Sequence, residues 1–171
     1  RERLLAQWRI VEKEPDLLRF RLARAMSLAS PSAVLVAAQE ESKARVLVEA
    51  LDAAFGAPDQ TGPVGREAAA LAAELWHTVP ARHQARMRDA MVRLAVPFTW
   101  PVVKAVVDGF AARVGLVAAG RMQDALRGLA IDDDAVAAHD LGSEERFREA
   151  AKASPGLASV LRFSLGDDYL A

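Results

Sequence analysis

The sequence predicts an all-α protein, a multi-helix bundle of about eight to ten short helices, with stacked helical hairpins as a variant of that architecture. Three observations carry the prediction. Alanine, the strongest helix former, supplies about a fifth of the 171 residues. Among strand formers only Val is common, while Ile, Thr and Tyr are scarce. Pro and Gly recur at intervals that cut the chain into segments of helical length.

Residues 3–14 read as a first helix, stopped by Pro15. Asp16 is placed to cap a second helix over 17–29. There Leu18, Leu22, Ala25 and Ala29 recur at helical spacing while Phe20 and Leu28 fill other directions, and a helix apolar on most sides belongs in a core. Ser30-Pro31-Ser32 ends it and caps a long run over 33–55, which carries Glu41, Arg45 and Glu49 at steps of four and an expected break near 39–42. Residues 56–65 (GAPDQTGPVG) are the clearest loop. They divide a single domain, residues 1–171, into an N-terminal helical subregion and a larger C-terminal one, and limited proteolysis is expected to cut there first.

Residues 66–79 and 81–95 form a helical pair around Pro80, and 97–101 make a second hinge holding Phe98 and Trp100. The most apolar helix is expected over 102–119, followed by 121–129 and an acidic turn at Asp132, Asp133 and Asp134. A short helix to 140 and a Ser143-capped helix over 144–153 come next, the latter with acids suited to the helix dipole. Ser154-Pro155-Gly156 breaks the chain before a last helix over 157–165. The segments 86–91 (RMRDAM) and 121–126 (RMQDAL) resemble each other, but no third copy appears, as expected of chance in a chain so rich in Ala, Leu and Arg.

The bulk numbers exclude several classes. Twenty-two basic and 23 acidic residues leave a net charge of -1, which attracts neither nucleic acid nor anionic lipid over the whole surface. A hydrophobic fraction of 52% and a mean hydropathy of +0.07 suit a folded domain. Zero cysteine removes disulfides, thiolate zinc sites and thiol catalysis. The longest apolar stretch, 94–120, is interrupted by Lys104, Asp108 and Arg113, so it reads as a core helix and no membrane partner is expected. The chain begins at Arg1 rather than Met, and the expectation is a trimmed or excised domain, with a cytoplasmic location favoured.

Reactive constellations are few. Glu74 and His77 have the Glu-x-x-His spacing of bundle di-iron sites, which puts both on one helix face, yet no second copy exists, so they are weak metal candidates and no cofactor is expected. The acidic triplet at 132–134 lacks the glycine and closing Glu of a calcium loop and reads as a helix start. Arg82, His83, Arg86, Arg88 and Arg93 give 81–95 a loose helix-turn-helix look, but Asp89 lies among them and the turn lacks Gly, so the face reads as solvated and nucleic acid is not the expected partner. No Gly-x-Ser-x-Gly elbow and no phosphate-binding glycine pattern occur, and no catalytic residue is assigned. His77 and His83 are six apart, on opposite helix faces.

The local hint of a binding surface is aromatic: Trp76, Phe98 and Trp100 beside two proline hinges, with Phe110 on the apolar helix beyond. Core plugs at helix ends are the favoured reading of Trp76, Phe98 and Trp100, with a binding site as the other; Met87, Met91 and Met122 add adaptable apolar surface that core packing also explains. The leading expectation is a non-catalytic helical interaction or regulatory domain whose partner is another protein or a second copy. The alternative is a small apolar-ligand sensor walled by the apolar helix and the aromatic hinge, for which Trp100→Ala should weaken the ligand and spare the fold. Residues 12–20 (EKEPDLLRF) resemble an early helix in the sensor half of TetR-family regulators, a resemblance that implies an apolar ligand and a dimer. Behind these stand a DNA-binding regulator and a metal-binding bundle enzyme resting on Glu74 and His77.

Overall fold

The computed structural model describes residues 14–57, 63–94, 96–139 and 141–166. The helix expected over 3–14 falls almost wholly outside that set, as do residues 58–62 of the long loop. The described residues form ten helices and no strand, an all-α fold as predicted. In chain order they are α1 (Pro15–Leu28), α2 (Val34–Ala37), α3 (Glu41–Phe55), α4 (Arg66–Thr78), α5 (Ala81–Val92), α6 (Trp100–Ala119), α7 (Met122–Asp132), α8 (Asp134–Ala137), α9 (Glu144–Ala153) and α10 (Pro155–Ser164).

The boundaries differ from the sequence reading mainly where proline is concerned. Pro15, Pro101 and Pro155 lie in first turns rather than outside the helices, because a first-turn proline sacrifices an N–H that has no helical partner. Asp16 therefore sits inside α1 and bonds Arg19 at 2.7 Å instead of capping. Ser154 is the cap of α10: its hydroxyl accepts from the Leu157 N–H at 3.0 Å. Ser143 caps α9 as expected, accepting from the Arg146 N–H. The long run over 33–55 breaks at 38–40, close to the expected place.

Two compact units emerge. Unit 1 combines Arg1–Val34 with Ala105–Ala171, and unit 2 is the continuous stretch Leu35–Lys104.

Unit 1 is built around Phe20, which is fully buried with Ala112 and Leu116 of α6, Ala125 and Leu129 of α7, and Leu157 and Val160 of α10. Two glycines make room for that ring. A Cβ on Gly115 would lie 2.8 Å from the Phe20 ring, and one on Gly128 would overlap it. Polar groups close the rim. Arg21 pairs with Asp132 at 2.7 Å, and the Ser154 hydroxyl, wholly buried, donates to Asp133 at 2.6 Å. Asp133 also accepts from the Ala135 N–H and so caps α8. The acidic triplet thus commits two of its carboxylates to structure.

Unit 2 has a thinner interior. α3 meets α4 through Ala50, Ala68 and Ala72, small residues that let two helices approach closely. A separate cluster gathers Ala44, Val48 and Trp100 with Val36, Phe98 and Val103 around them. α5 buries no residue. It is tied down by polar contacts: Gln84 donates to the carbonyls of Trp76 and Val79, both at 2.8 Å, and Arg88 lies 4.6 Å from the Trp76 ring centre. No described helix is long and apolar enough to cross a membrane.

Candidate functional site

The sequence 97–101 (PFTWP) places two aromatics at the start of α6. The Thr99 carbonyl accepts from the Val103 N–H at 2.9 Å, which opens the helix and turns Trp100 onto Ala44 and Val48 of α3. Trp100 is 6% exposed, so most of its surface serves the core of unit 2. One edge of this cluster borders a cleft of about 310 Å³. Val48, Val64, Phe98 and Trp100 form its apolar walls.

The polar side of the cleft comes from one face of α3. Arg45, Glu49 and Asp52 recur at steps of four and three, which stacks them along the helix. Each has a distinct state. Arg45 donates to Glu41 at 2.9 Å, and that hydrogen bond, ahead of the Coulomb attraction of Arg45, holds the Glu41 carboxyl below its usual value. Glu49 accepts from the Gly65 N–H at 2.8 Å and ties the end of the long loop to α3. Burial pushes the Asp52 carboxyl up. The cleft can therefore hold a small apolar body beside polar anchors. Among the described residues its polar lining is Arg45, Glu49, Asp52 and Thr99.

The three aromatics of unit 2 singled out from the sequence do not all line one hollow. Phe98 and Trp100 share the cleft. Trp76 walls a shallower hollow of about 320 Å³ with Ala53, Ala72 and Arg88, and stacks on Phe55 with ring centres 5.9 Å apart. Phe110 belongs to unit 1, on the outer side of α6. There Val106, Phe110 and Val117 are 63%, 46% and 60% exposed, while Ala112, Leu116 and Ala119 of the same helix are buried. The spacing of four and seven puts the three exposed residues on one stripe.

Glu74 and His77 are both exposed on α4. No group of three or more His, Asp or Glu side chains among the described residues is arranged to hold a metal ion. On α5, Arg82, His83, Arg86 and Arg88 are all exposed, as is Arg93 at its C-cap. Arg82 donates to the His83 ring at 3.2 Å, and the Arg93 side chain donates to the Asp89 carbonyl at 3.1 Å.

Sequence reasoning missed Val48, Glu49, Asp52 and Val64 as partners of Phe98 and Trp100. The charge ladder on α3 was visible, but nothing local ties it to a segment some fifty residues later. Val106 and Val117 were also missed, although their spacing from Phe110 was open to inspection. The chain matches no family model, no curated protein and no solved structure.

Proposed function

We propose that this chain is a non-catalytic helical interaction domain that docks a protein partner through the outer stripe of α6. The observation that carries this reading is the two-sided character of that helix. Its inner side is committed to the core around Phe20, and its outer side still presents Val106, Phe110 and Val117 to water. Isolated exposed apolar residues are ordinary, but an aligned set centred on an aromatic is the composition of an interface core. Phe110 is the anchor, because large aromatic side chains dominate interface energetics.

The test compares Phe110→Asp with the parent chain. Far-UV circular dichroism and the melting temperature should barely change, since the side chain is half exposed. Association, read as self-association by light scattering or as affinity for a captured partner, should weaken by about 2 kcal/mol, roughly thirty-fold in Kd. Association that is indifferent to both Phe110→Asp and Val117→Asp would remove α6 from the interface.

A second reading rests on the cleft. Its volume of about 310 Å³ stands at the low end of the range for small-molecule sites. A compact apolar ligand against Phe98 and Val64 would make the protein a sensor. Phe98→Ala, which spares the more deeply buried Trp100, should lower the affinity of such a ligand and leave association through α6 untouched.

A further inference from the structure

We infer that unit 1 carries a binding site for a small oxyanion, a carboxylate or phosphate group, formed where α10 crosses α6 by Arg113, Ser159 and Arg162. The inference goes beyond the docking stripe and uses none of its three residues.

The crossing is set by Gly109. A Cβ there would stand 2.9 Å from both the Cβ and the hydroxyl oxygen of Ser159, so only glycine lets α10 come this close. One turn further along α6 stands Arg113, and one turn further along α10 stand Arg162 and Phe163. Together with Ser159 and Gly166 these residues enclose a hollow of about 250 Å³.

The chemistry of that lining is one-sided. Among the described residues it holds two guanidinium groups and a hydroxyl, and no carboxylate. Neither Arg113 nor Arg162 has an acidic partner among the described residues, whereas Arg19, Arg21, Arg24, Arg121, Arg127 and Arg148 of the same unit are all ion-paired. Two like charges facing one hollow repel each other unless an anion lies between them. Arg162 is in the last turn of α10, where a cation suits the helix dipole, but that argument does not reach Arg113 in the middle of α6. Guanidinium forks with a hydroxyl donor match the planar or tetrahedral oxygens of a carboxylate or phosphate. The hollow is smaller than the range for drug-sized ligands, which suits a headgroup or a compact metabolite.

The experiment is a titration of the isotope-labelled full chain, followed at backbone amides and at arginine side-chain N–H signals. Sodium phosphate and sodium benzoate are the probes, each against sodium chloride at matched ionic strength. Saturable shifts at Arg113, Ser159 and Arg162 with phosphate identify a phosphate site, and the same shifts with benzoate alone identify a carboxylate site. In either case Arg162→Gln, at an exposed position, and Arg113→Gln should each weaken binding about tenfold, the size expected of a lost charge-assisted hydrogen bond. Melting curves for both variants separate lost binding from lost folding. Shifts that do not saturate, that chloride reproduces, or that survive in Arg162→Gln with the fold intact would overturn the site.

Discussion

Ser154 shows how much one buried hydroxyl can do. It accepts from the Leu157 N–H, donates to Asp133, and has no exposed surface. Ser154→Ala removes a helix cap and strips a carboxylate of a donor, so it should cost about 1–2 kcal/mol in urea unfolding. A loss below a few tenths would mean that water replaces both bonds. Gly128→Ala tests packing at the same scale. Its methyl would overlap the fully buried Phe20 ring, and overpacking of this kind costs about 1–3 kcal/mol. Two carboxylates of unit 2 give opposite responses to pH. Burial raises Asp52 above its ordinary 3.8, so the folded state binds that proton more tightly than the unfolded chain. Stability from this group is greatest at low pH and falls as pH rises through the window between the two values. Glu41 is held below its ordinary 4.5, so its contribution is present above 4.5 and is lost as pH falls through the folded value. Asp52→Asn should therefore stabilise the protein at neutral pH, with the gain disappearing in acid. A gain that grows towards acid would reverse the assignment.

At the scale of the element, α5 and α6 are opposites. α6 has apolar residues on both sides, one set buried and one exposed. α5 buries nothing and is held by Gln84 and by Arg88 over Trp76. Helices with little buried apolar contact open at low free-energy cost. Amide exchange should therefore be fastest in α5 among the helices of ten or more residues, and slowest in α7 and the inner part of α6. Gln84→Ala should quicken exchange in α5 and leave α7 unchanged. Protection of α5 equal to that of α7 would show that another contact holds it. The prolines act at this scale too. Pro101 and Pro155 lie in the first turns of helices that the sequence reading started two residues after their observed starts at Trp100 and Pro155, because the rule that proline breaks helices applies to interiors and not to first turns.

For the molecule as a whole, the division into two units sets the order of unfolding. The buried set of unit 2 is dominated by alanine, with Val48, Phe55 and Trp100 as its large members. Unit 1 buries Phe20 together with four Leu and Val side chains from α6, α7 and α10. Burial of larger apolar surface gives the more stable unit. Urea unfolding should show two steps, with unit 2 first, as monitored by Trp76 and Trp100. A single step coincident by fluorescence and circular dichroism would mean that the units unfold as one. Because Phe20 belongs to unit 1 and precedes unit 2 in the chain, residues 105–171 expressed alone should lack a folded core. Trp100→Ala also looks different at this scale. The sequence reading expected it to spare the fold, but a tryptophan 6% exposed and packed on Ala44 and Val48 contributes to the core, and its truncation should cost about 3–5 kcal/mol.

What the sequence determined by itself is the local order. Helix propensity, spacing and punctuation act over four to seven residues, so the all-α class, the break near residue 40, the Ser143 cap and the charge ladder of α3 are legible in the residues alone. The tertiary structure alone decided which of these pieces meet. Phe20 faces Gly115 and Gly128 about a hundred residues away, Glu49 and Asp52 face Phe98, and Arg113 shares a hollow with Arg162. Such pairings depend on how whole helices pack to bury apolar area, a sum over many contacts that no single window of sequence contains.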